Sequence, residues 1–355
     1  MIKKICFFTT NFSTHAQNRA QYARNYLPPE VDIYFITPPS QNKYKFKGIK
    51  IIKLKENKLN FILELRKFCK DNNIDLLIHF GTTRECWGMF FSTIGTKTKY
   101  IIQIVGNSLD APKIEKNFFK KFFLYLENFS YIVPFSFSKR IIFGAKDIQE
   151  RTKRIYFFIK DKMEYADLIL DEKLFSPKNK TNMRKKLNLP LNKKIIIFVA
   201  RIEYLKGSDI MLSLIKDNPD KLFILVGKIN DSSFLNLNLS NLLILNPLPP
   251  EELAEYYNAS DLSILPSRIE GYGLVSRESM LCKTPSLVSD IPSLRMIKYA
   301  LKAGLSKEKM QQKINEFFLM SEKKKKYLQE ISRESIIKET SYKNLKDKYK
   351  NLILG

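Results

Sequence analysis

The 355-residue chain has no long apolar run, and this excludes a membrane-spanning segment. The longest clean apolar run, residues 195–200, is far below the ~20 residues that a membrane-spanning helix needs. The apolar start of the chain ends at Thr9-Thr10-Asn11, well short of a signal peptide. We therefore expect a cytoplasmic protein.

Cysteine and histidine are scarce, and their scarcity excludes most metal sites and several catalytic schemes. The four cysteines form no Cys-x-x-Cys pair, which is typical of reduced thiols rather than of a disulfide framework or a zinc knuckle. The two histidines, His15 and His79, are too few for a three-histidine zinc site. A Ser-His-Asp triad would have to use one of these two.

Acidic residues are also few relative to basic ones. Lys and Arg outnumber Asp and Glu by 61 to 36, which gives a formal net charge of +25. Residues 1–165 contribute 29 basic and 14 acidic side chains to this excess. An imbalance of this size predicts attraction to polyanions, which include nucleic acid, anionic membranes and phosphorylated ligands.

Apolar runs and helical patterns alternate along the chain. In the first half, residues 4–10 and 31–36 are typical of buried strands, and residues 17–26 between them have helical spacing. A second alternation begins at residue 194, after a polar stretch punctuated by prolines. Such alternation predicts parallel sheets whose ligands bind at the carboxyl ends of the strands. We expect an α/β protein with doubly wound domains at residues 1–165 and 166–335, and a terminal helix in residues 336–355 that packs back toward the first domain.

The densest functional signal is the segment 266–278, which directly follows a predicted strand at residues 262–265. Gly271 and Gly273 let the backbone approach a ligand closely, and free N–H groups at the start of the next helix suit phosphate oxygens. Glu278 lies one turn into that helix, where its carboxylate suits the vicinal hydroxyls of a ribose, and Glu270 suits a second polyol. The alternative is an ordinary strand-to-helix turn with two solvated glutamates.

A second signal follows the strand predicted at residues 195–200. Arg201 comes at the end of this strand, and Lys206-Gly207 precede the next helix. Two cations at the carboxyl end of a strand suit a diphosphate whose charge grows as it leaves. Against this interpretation, a chain with 61 basic residues places cations in many loops.

The two signals together resemble the retaining glycosyltransferases of family 4. Residues 200–207 are similar to the family's Arg-x4-Lys-Gly donor-phosphate motif, with Ala200 where glycine is usual. Glu270 and Glu278 are spaced as in its Glu-x7-Glu signature, and the likeness covers nearly all of residues 170–355. The resemblance implies the GT-B fold, in which two Rossmann-like doubly wound domains face a cleft.

The resemblance also implies the reaction and the roles of the residues. A hexosyl group would pass from a nucleotide-diphosphate donor on the C-terminal domain to a hydroxyl acceptor on the N-terminal domain, with retention at the anomeric carbon. Arg201 and Lys206 would stabilise the departing diphosphate, and Glu270 would hold a donor-sugar hydroxyl. The nucleotide-binding positions would be Gly271, Tyr272, Gly273, Leu274, Val275 and Glu278. The chain has no Asp-x-Asp, which agrees with a metal-independent enzyme that needs no cofactor.

The N-terminal half matches the family only in strand order. Where the family commonly has a Gly-Gly loop after its first strand, this chain has the glycine-free segment 11–15. Where the family often has a histidine before the glycine that ends a later strand, this chain has Val105. We therefore take His15, His79 and Asn107 as the candidates for the acceptor or sugar side.

Residues 113–126 bear on the acceptor, because they combine aromatic and basic side chains at helical spacing. A basic amphipathic helix can lie on an anionic membrane. More often such a stripe packs against its own sheet and leaves its lysines in water. We expect a peripheral enzyme on the inner face of the membrane, acting on a lipid-linked or cell-surface glycan precursor.

Other functions use the same charge or the same fold. One is a basic nucleic-acid-binding protein, and another is a GT-B glucosyltransferase that modifies DNA. Most Tyr and Phe residues fall within apolar strands and helices rather than along a basic groove, so nucleic acid is not the expected partner. A nucleotide-sugar epimerase or a phosphorylase on the same fold would differ only in its acceptor.

Overall fold

The chain folds into two compact units. The computed structural model describes residues 2–8, 14–37, 46–54, 58–81, 85–107, 109–115 and 117–355. The first unit comprises Met1–Ile169 with Tyr342–Gly355, and the second comprises Leu170–Ser341. The first boundary therefore lies four residues beyond the predicted 165/166, and the terminal segment leaves the second unit at residue 342 rather than 336.

The first unit contains a seven-stranded sheet in the order β3-β2-β1-β4-β5-β6-β7, with every pairing parallel. Alternate side chains of one strand enter different cores: Ile5 and Phe7 pack on one face, and Cys6 and Phe8 on the other. Burial on both faces explains the continuous apolar runs. The strands are β1 Lys4–Phe8, β2 Asp32–Thr37, β3 Lys50–Lys53, β4 Leu76–Gly81, β5 Lys99–Ile104, β6 Arg140–Phe143 and β7 Met163–Tyr165.

Helices connect these strands. A 3-10 turn at Phe157–Lys162 leads into the last strand. The helices are α1 Thr14–Tyr26, α2 Lys58–Asp71, α3 Cys86–Thr93, α4 Ala111–Ile114, α5 Phe118–Ser130, α6 Ile132–Phe137 and α7 Lys146–Ile155.

The second unit contains a six-stranded parallel sheet in the order β10-β9-β8-β11-β12-β13. The strand order reverses between β8 and β11, and ligands of open α/β sheets bind at the carboxyl ends of strands at such a point. The strands are β8 Lys194–Val199, β9 Lys221–Val226, β10 Leu242–Leu245, β11 Leu262–Leu265, β12 Ser286–Ser289 and β13 Leu301–Ala303.

The helices of the second unit flank this sheet. In the part of the chain that the structure describes, every helix is too short or too polar to cross a lipid bilayer. The helices are α8 Lys180–Lys186, α9 Ser208–Asp217, α10 Pro250–Ala259, α11 Leu274–Leu281, α12 Pro292–Arg295, α13 Lys307–Leu319 and α14 Glu322–Thr340.

The last helix, α15 (Tyr342–Leu354), returns to the first unit. Tyr342 stacks on Tyr22 at 5.8 Å between ring centroids, and Tyr349 stacks on Tyr26 at 6.1 Å. The Tyr349 hydroxyl donates to the backbone carbonyl of Asp167 at 2.9 Å. Because α14 packs on α11, the chain leaves the second unit only after that helix ends.

A buried arginine holds β8 and β11 side by side at their amino ends. The Arg184 guanidinium donates to the Ala259 carbonyl at 2.9 Å and to the Asp261 carboxylate at 2.8 Å. Asp261 also accepts from the Ile195 backbone N–H at 2.8 Å. Burial alone would raise the pKa of Asp261, but Lys180, the Ile195 N–H and Arg184 hold it below its ordinary value. These contacts position the starts of both strands.

Gly207 allows the loops after β8 and β11 to touch at the opposite end of the sheet. Its φ of +79° is strained for any residue with a side chain. A Cβ added there would lie 2.3 Å from the Pro266 carbonyl oxygen. The close approach of the two loops therefore depends on glycine at this position.

We predict that Gly207→Ala lowers the free energy of unfolding by at least about 2 kcal/mol, because it combines a left-handed backbone with a backbone clash. Gly304→Ala in the same unit is the matched control, since its Cβ would meet only the flexible Lys309 side chain. Denaturant titration of both variants measures the difference. Equal stability of the two variants would contradict the tight contact at Gly207.

Candidate functional site

The loops after β8 and β11 form one connected surface at the carboxyl edge of the second sheet. The Arg268 backbone N–H donates to the Leu205 carbonyl at 2.9 Å. The Arg268 guanidinium lies 3.7 Å from the centre of the Tyr204 ring and binds both carboxylate oxygens of Asp209 at 2.8 Å. These contacts fix the two loops against each other. Neither Arg268 nor Tyr204 is among the predicted site residues, although Arg268 lies within the segment 266–278.

Lys206 and Glu270, which were predicted separately, form an ion pair on this surface. The Lys206 Nζ lies 2.5 Å from Glu270 Oε1 and 3.3 Å from the Ile269 carbonyl oxygen. The Ser267 hydroxyl also donates to Glu270, at 3.1 Å. The Lys206 and Glu270 side chains are only 19% and 14% exposed. A ligand that carries both an anionic group and hydroxyl groups can replace this ion pair, because Lys206 can bind the anion and Glu270 can accept from a hydroxyl.

Arg201 has a different environment at the end of β8. Its side chain is 61% exposed and pairs with Glu203 at 3.0 Å. Glu203 also accepts from the Asn230 side-chain amide at 3.0 Å. Arg201 is thus an accessible cation with a local carboxylate partner, whereas Lys206 is the shielded cation beside Glu270.

Gly273 shapes the start of α11. It is the N-cap residue with φ +69°, and no side chain caps the helix there. The first backbone N–H groups of this helix, at Leu274 and Val275, therefore keep the capacity to bind an anion. A Cβ at Gly273 would lie 2.7 Å from Leu294 Cδ2, so this helix packs closely on its neighbour.

Tyr272 and Arg277 support this turn from inside. Tyr272 is 3% exposed, and the buried Arg277 guanidinium lies 3.8 Å from its ring centre. Arg277 also donates to the Tyr272 carbonyl. Gly271, which precedes Tyr272, is also buried. Tyr272 therefore acts on the turn through packing.

Glu278 is buried inside α11, with 2% of its surface exposed. Burial raises its pKa to about 8, an effect that the nearby Tyr257 hydroxyl partly offsets. A carboxyl with this pKa is mostly protonated at neutral pH, so it can accept one hydrogen bond and donate another. Glu278 is buried and the Glu270 side chain is 14% exposed, so the burial of both carboxyls favours a site over an ordinary turn with two solvated glutamates.

The candidates in the first unit do not form a comparable cluster among the described residues. His79 in β4 is fully buried 4.7 Å from the Phe8 ring, and burial lowers its pKa to about 4. Neither ring nitrogen of His79 has a hydrogen-bond partner in the described part of the chain. Asn107 donates from its amide to Asp110 at 2.7 Å. His15 lies in α1, but its side chain and most of the segment 11–15 lie outside the described residues.

The aromatic stripe of residues 113–126 does not pack against its own sheet, so that interpretation is wrong. It divides into α4 and α5, and α5 has no buried residue. Phe118 and Phe119 are 75% and 72% exposed. We call the exposed apolar side chains of α5 the aromatic face: Phe118, Phe119, Phe122, Phe123, Tyr125, Leu126 and Phe129. Lys120 and Lys121 lie on the same helix, and Lys116 lies outside the described residues.

The sequence of the second unit is similar to that of known glycosyltransferases. Residues 179–335 match the family described as "Glycosyl transferases group 1". The chain is 32% identical to the D-inositol 3-phosphate glycosyltransferase of Thermobispora bispora over 152 residues. The matched region is 38% of this chain and 35% of that protein. The match thus spans about a third of the length of this curated relative.

Solved structures match over almost the whole length. Sucrose-phosphate synthase from Thermosynechococcus elongatus superposes with a TM-score of 0.80 at 14% identity, covering 99% of this chain and 98% of that one. HepE from Anabaena, in complex with UDP-glucose, superposes with a TM-score of 0.76 at 12% identity and covers 97% of each chain. The chain therefore has the GT-B fold of these structures, and its residues 179–335 match the glycosyl transferases group 1 family over less than half of the chain.

Proposed function

We propose that the protein is a retaining glycosyltransferase of family 4 that moves a hexosyl group from a nucleotide-diphosphate donor to a hydroxyl acceptor. The observation that carries this proposal is the cluster at the carboxyl edge of the second sheet. There the loop after β8 carries Lys206 and the loop after β11 carries Glu270, at the point where the strand order reverses. Next to them, α11 begins without a side-chain cap. This cluster offers groups for the ribose, the diphosphate and the transferred sugar of a sugar nucleotide.

The donor would be bound by groups of different chemistry. Glu278 would hold the ribose hydroxyls, because its protonated carboxyl both donates and accepts. The N–H groups at Leu274 and Val275 would bind the diphosphate, with Lys206 and Arg201 as cations. HepE, which has the same fold, is described in complex with UDP-glucose. A uridine nucleotide is therefore the first donor to test.

The transfer would depend on stabilisation of the leaving group. The bond between the anomeric carbon and the diphosphate oxygen breaks, and the acceptor oxygen forms its bond on the same face of the sugar. A diphosphate oxygen takes the acceptor's proton, so no histidine base is required. Lys206 and the helix N-terminus would stabilise the growing charge, which is usually the largest catalytic contribution. Glu270, released from Lys206, would accept a sugar hydroxyl. In this scheme the cations serve where other transferases use a metal ion.

The acceptor is proposed to be a lipid-linked or cell-surface glycan precursor, reached by a peripheral enzyme at an anionic membrane. The support is the aromatic face, whose phenylalanines are 53–75% exposed, although the rings of Phe118 and Phe119 and those of Phe122 and Phe123 contact each other. Residues 113–162 also carry twelve Lys and Arg against five Asp and Glu. Exposed aromatic side chains on a helix that also carries Lys120 and Lys121 suit a bilayer interface. Stacking on nucleic-acid bases is the competing use of the same chemistry.

The donor site is tested by thermal shift with a panel of nucleoside diphosphates and their sugars. A ligand at 100 times its dissociation constant adds about 2.7 kcal/mol of stability. We expect an upward shift with one nucleotide, most directly UDP, that Glu278→Ala abolishes. Glu322→Ala is the control, because that side chain is 89% exposed on α14. Absence of a shift with every nucleotide would contradict the proposed donor site.

The membrane surface is tested by sedimentation with anionic phospholipid vesicles at low salt. Lys120→Ala/Lys121→Ala should weaken binding roughly 30-fold, since each lysine near an anionic surface contributes about 1 kcal/mol. Lys323→Ala/Lys324→Ala removes the same charge from exposed positions of α14 and should change little.

Equal losses in the two double variants would mean that net charge alone drives binding and would contradict the proposed surface. Stronger binding to duplex DNA than to vesicles, with a steep dependence on salt, would instead favour the DNA-modifying glucosyltransferase.

A further inference from the structure

The first unit contains a cavity of about 340 Å³ beside α5. Its lining comes from the segment before α4 and from α4 itself, from α5 and the start of α6, and from α7 and the 3-10 turn that follows. Most of the lining side chains are apolar, including Leu109, Phe129, Ile132, Ile155 and Phe158. The cavity thus presents mainly hydrocarbon and aromatic surface to whatever enters it.

The polar groups of the cavity lining mostly bind one another. Asp110 accepts from the Asn107 amide at 2.7 Å and pairs with Lys113 at 2.6 Å and with Arg151. The Asn128 amide donates to the Leu109 carbonyl at 3.0 Å. A polyhydroxyl ligand would therefore have to displace existing bonds along most of the lining, whereas a hydrocarbon chain would not.

At one end of the cavity, Asn107 provides a polar group that is only partly hydrogen-bonded. Its Oδ1 is buried and has no hydrogen-bond donor among the described residues. A buried acceptor without a donor is costly unless a ligand or water supplies one. Because Oδ1 has almost no accessible surface, a ligand hydroxyl at this polar end would reach it only after the Asn107 amide turns, whereas the rest of the cavity suits an apolar chain.

The cavity is continuous with the aromatic face. Tyr125 and Phe129 belong to both, and Phe129 is 70% exposed. Ile155 and Phe158 at the other side of the opening are 59% and 51% exposed. A molecule anchored in a bilayer against the aromatic face would thus meet the cavity opening without crossing a polar surface.

We propose that this cavity holds the hydrocarbon chain of an amphiphilic acceptor, with the hydroxyl-bearing head group toward Asn107; this rests on the proposed function. Lys113, which lines the cavity, and Lys120 on α5 are 62% and 69% exposed, so they can complement an anionic lipid surface. The inference adds a specific chain-binding site to the membrane surface, and it makes the apolar part of the acceptor a determinant of recognition.

The test is calorimetric titration of the full chain with hexyl, octyl and decyl maltoside, each below its micelle concentration. These uncharged amphiphiles share one head group, so they isolate the contribution of the chain. Each buried methylene contributes about 0.8 kcal/mol, so affinity should rise about fourfold per added methylene. Affinity that is independent of chain length, or equal binding of free maltose, would overturn the proposal and indicate a carbohydrate site.

Ile155→Asp places a charge at the opening and should abolish the dependence on chain length. Leu63→Asp is the matched control, because Leu63 is 57% exposed on α2 of the same unit and does not line the cavity. Phe129→Ala is a second variant at an exposed position and should weaken decyl maltoside binding more than hexyl. Equal effects of Ile155→Asp and Leu63→Asp would overturn the proposal.

The UDP thermal shift distinguishes failure of this inference from failure of the proposed function, because the proposed donor site lies in the other unit. Chain-length dependence without any nucleotide shift would support the cavity and contradict the transferase. A UDP shift without chain-length dependence would overturn the cavity proposal and leave the donor site intact.

Discussion

The contact between the loops after β8 and β11 is the constraint on which the proposed chemistry depends. Lys206 and Glu270 are 64 positions apart in the chain, yet their side chains meet at 2.5 Å. They meet because the strand order reverses between these two strands, and because Gly207 lets its loop lie against Pro266. Arg268 then joins the two loops through Leu205, Tyr204 and Asp209. These contacts fix the positions of a cation and a carboxylate before any ligand binds.

Each unit contains groups whose placement is costly. In the second unit Glu278 is buried, and burial raises its pKa to about 8. In the first unit aromatic side chains lie in water along α5. Each arrangement is unfavourable by itself, since a buried carboxyl loses hydration and an exposed phenylalanine gains no burial. A ligand that hydrogen-bonds to Glu278 would offset the first cost, and an apolar surface that covers α5 would offset the second.

The alternation of strands and helices was predictable, because both sheets are parallel and buried on two faces. The Gly273–Glu278 turn was also predictable from its spacing after a strand. Other features depend on tertiary contacts that spacing does not carry. The Lys206–Glu270 pair, the Glu203 partner of Arg201 and the exposure of α5 belong to this class. The boundary between the second unit and the returning helix lies at Tyr342 rather than at residue 336, because α14 packs on α11 as far as Thr340.

The central claim is that Lys206 and its neighbours bind a diphosphate, and the most direct measurement compares UDP with uridine by calorimetry. A hydrogen bond to a charged group contributes roughly 1.5–3 kcal/mol, so UDP should bind at least about tenfold more tightly than uridine. Lys206→Met should remove most of this preference while uridine affinity stays unchanged, and Lys323→Met on α14 should keep it. Equal affinity of the wild-type protein for UDP and uridine would contradict the account.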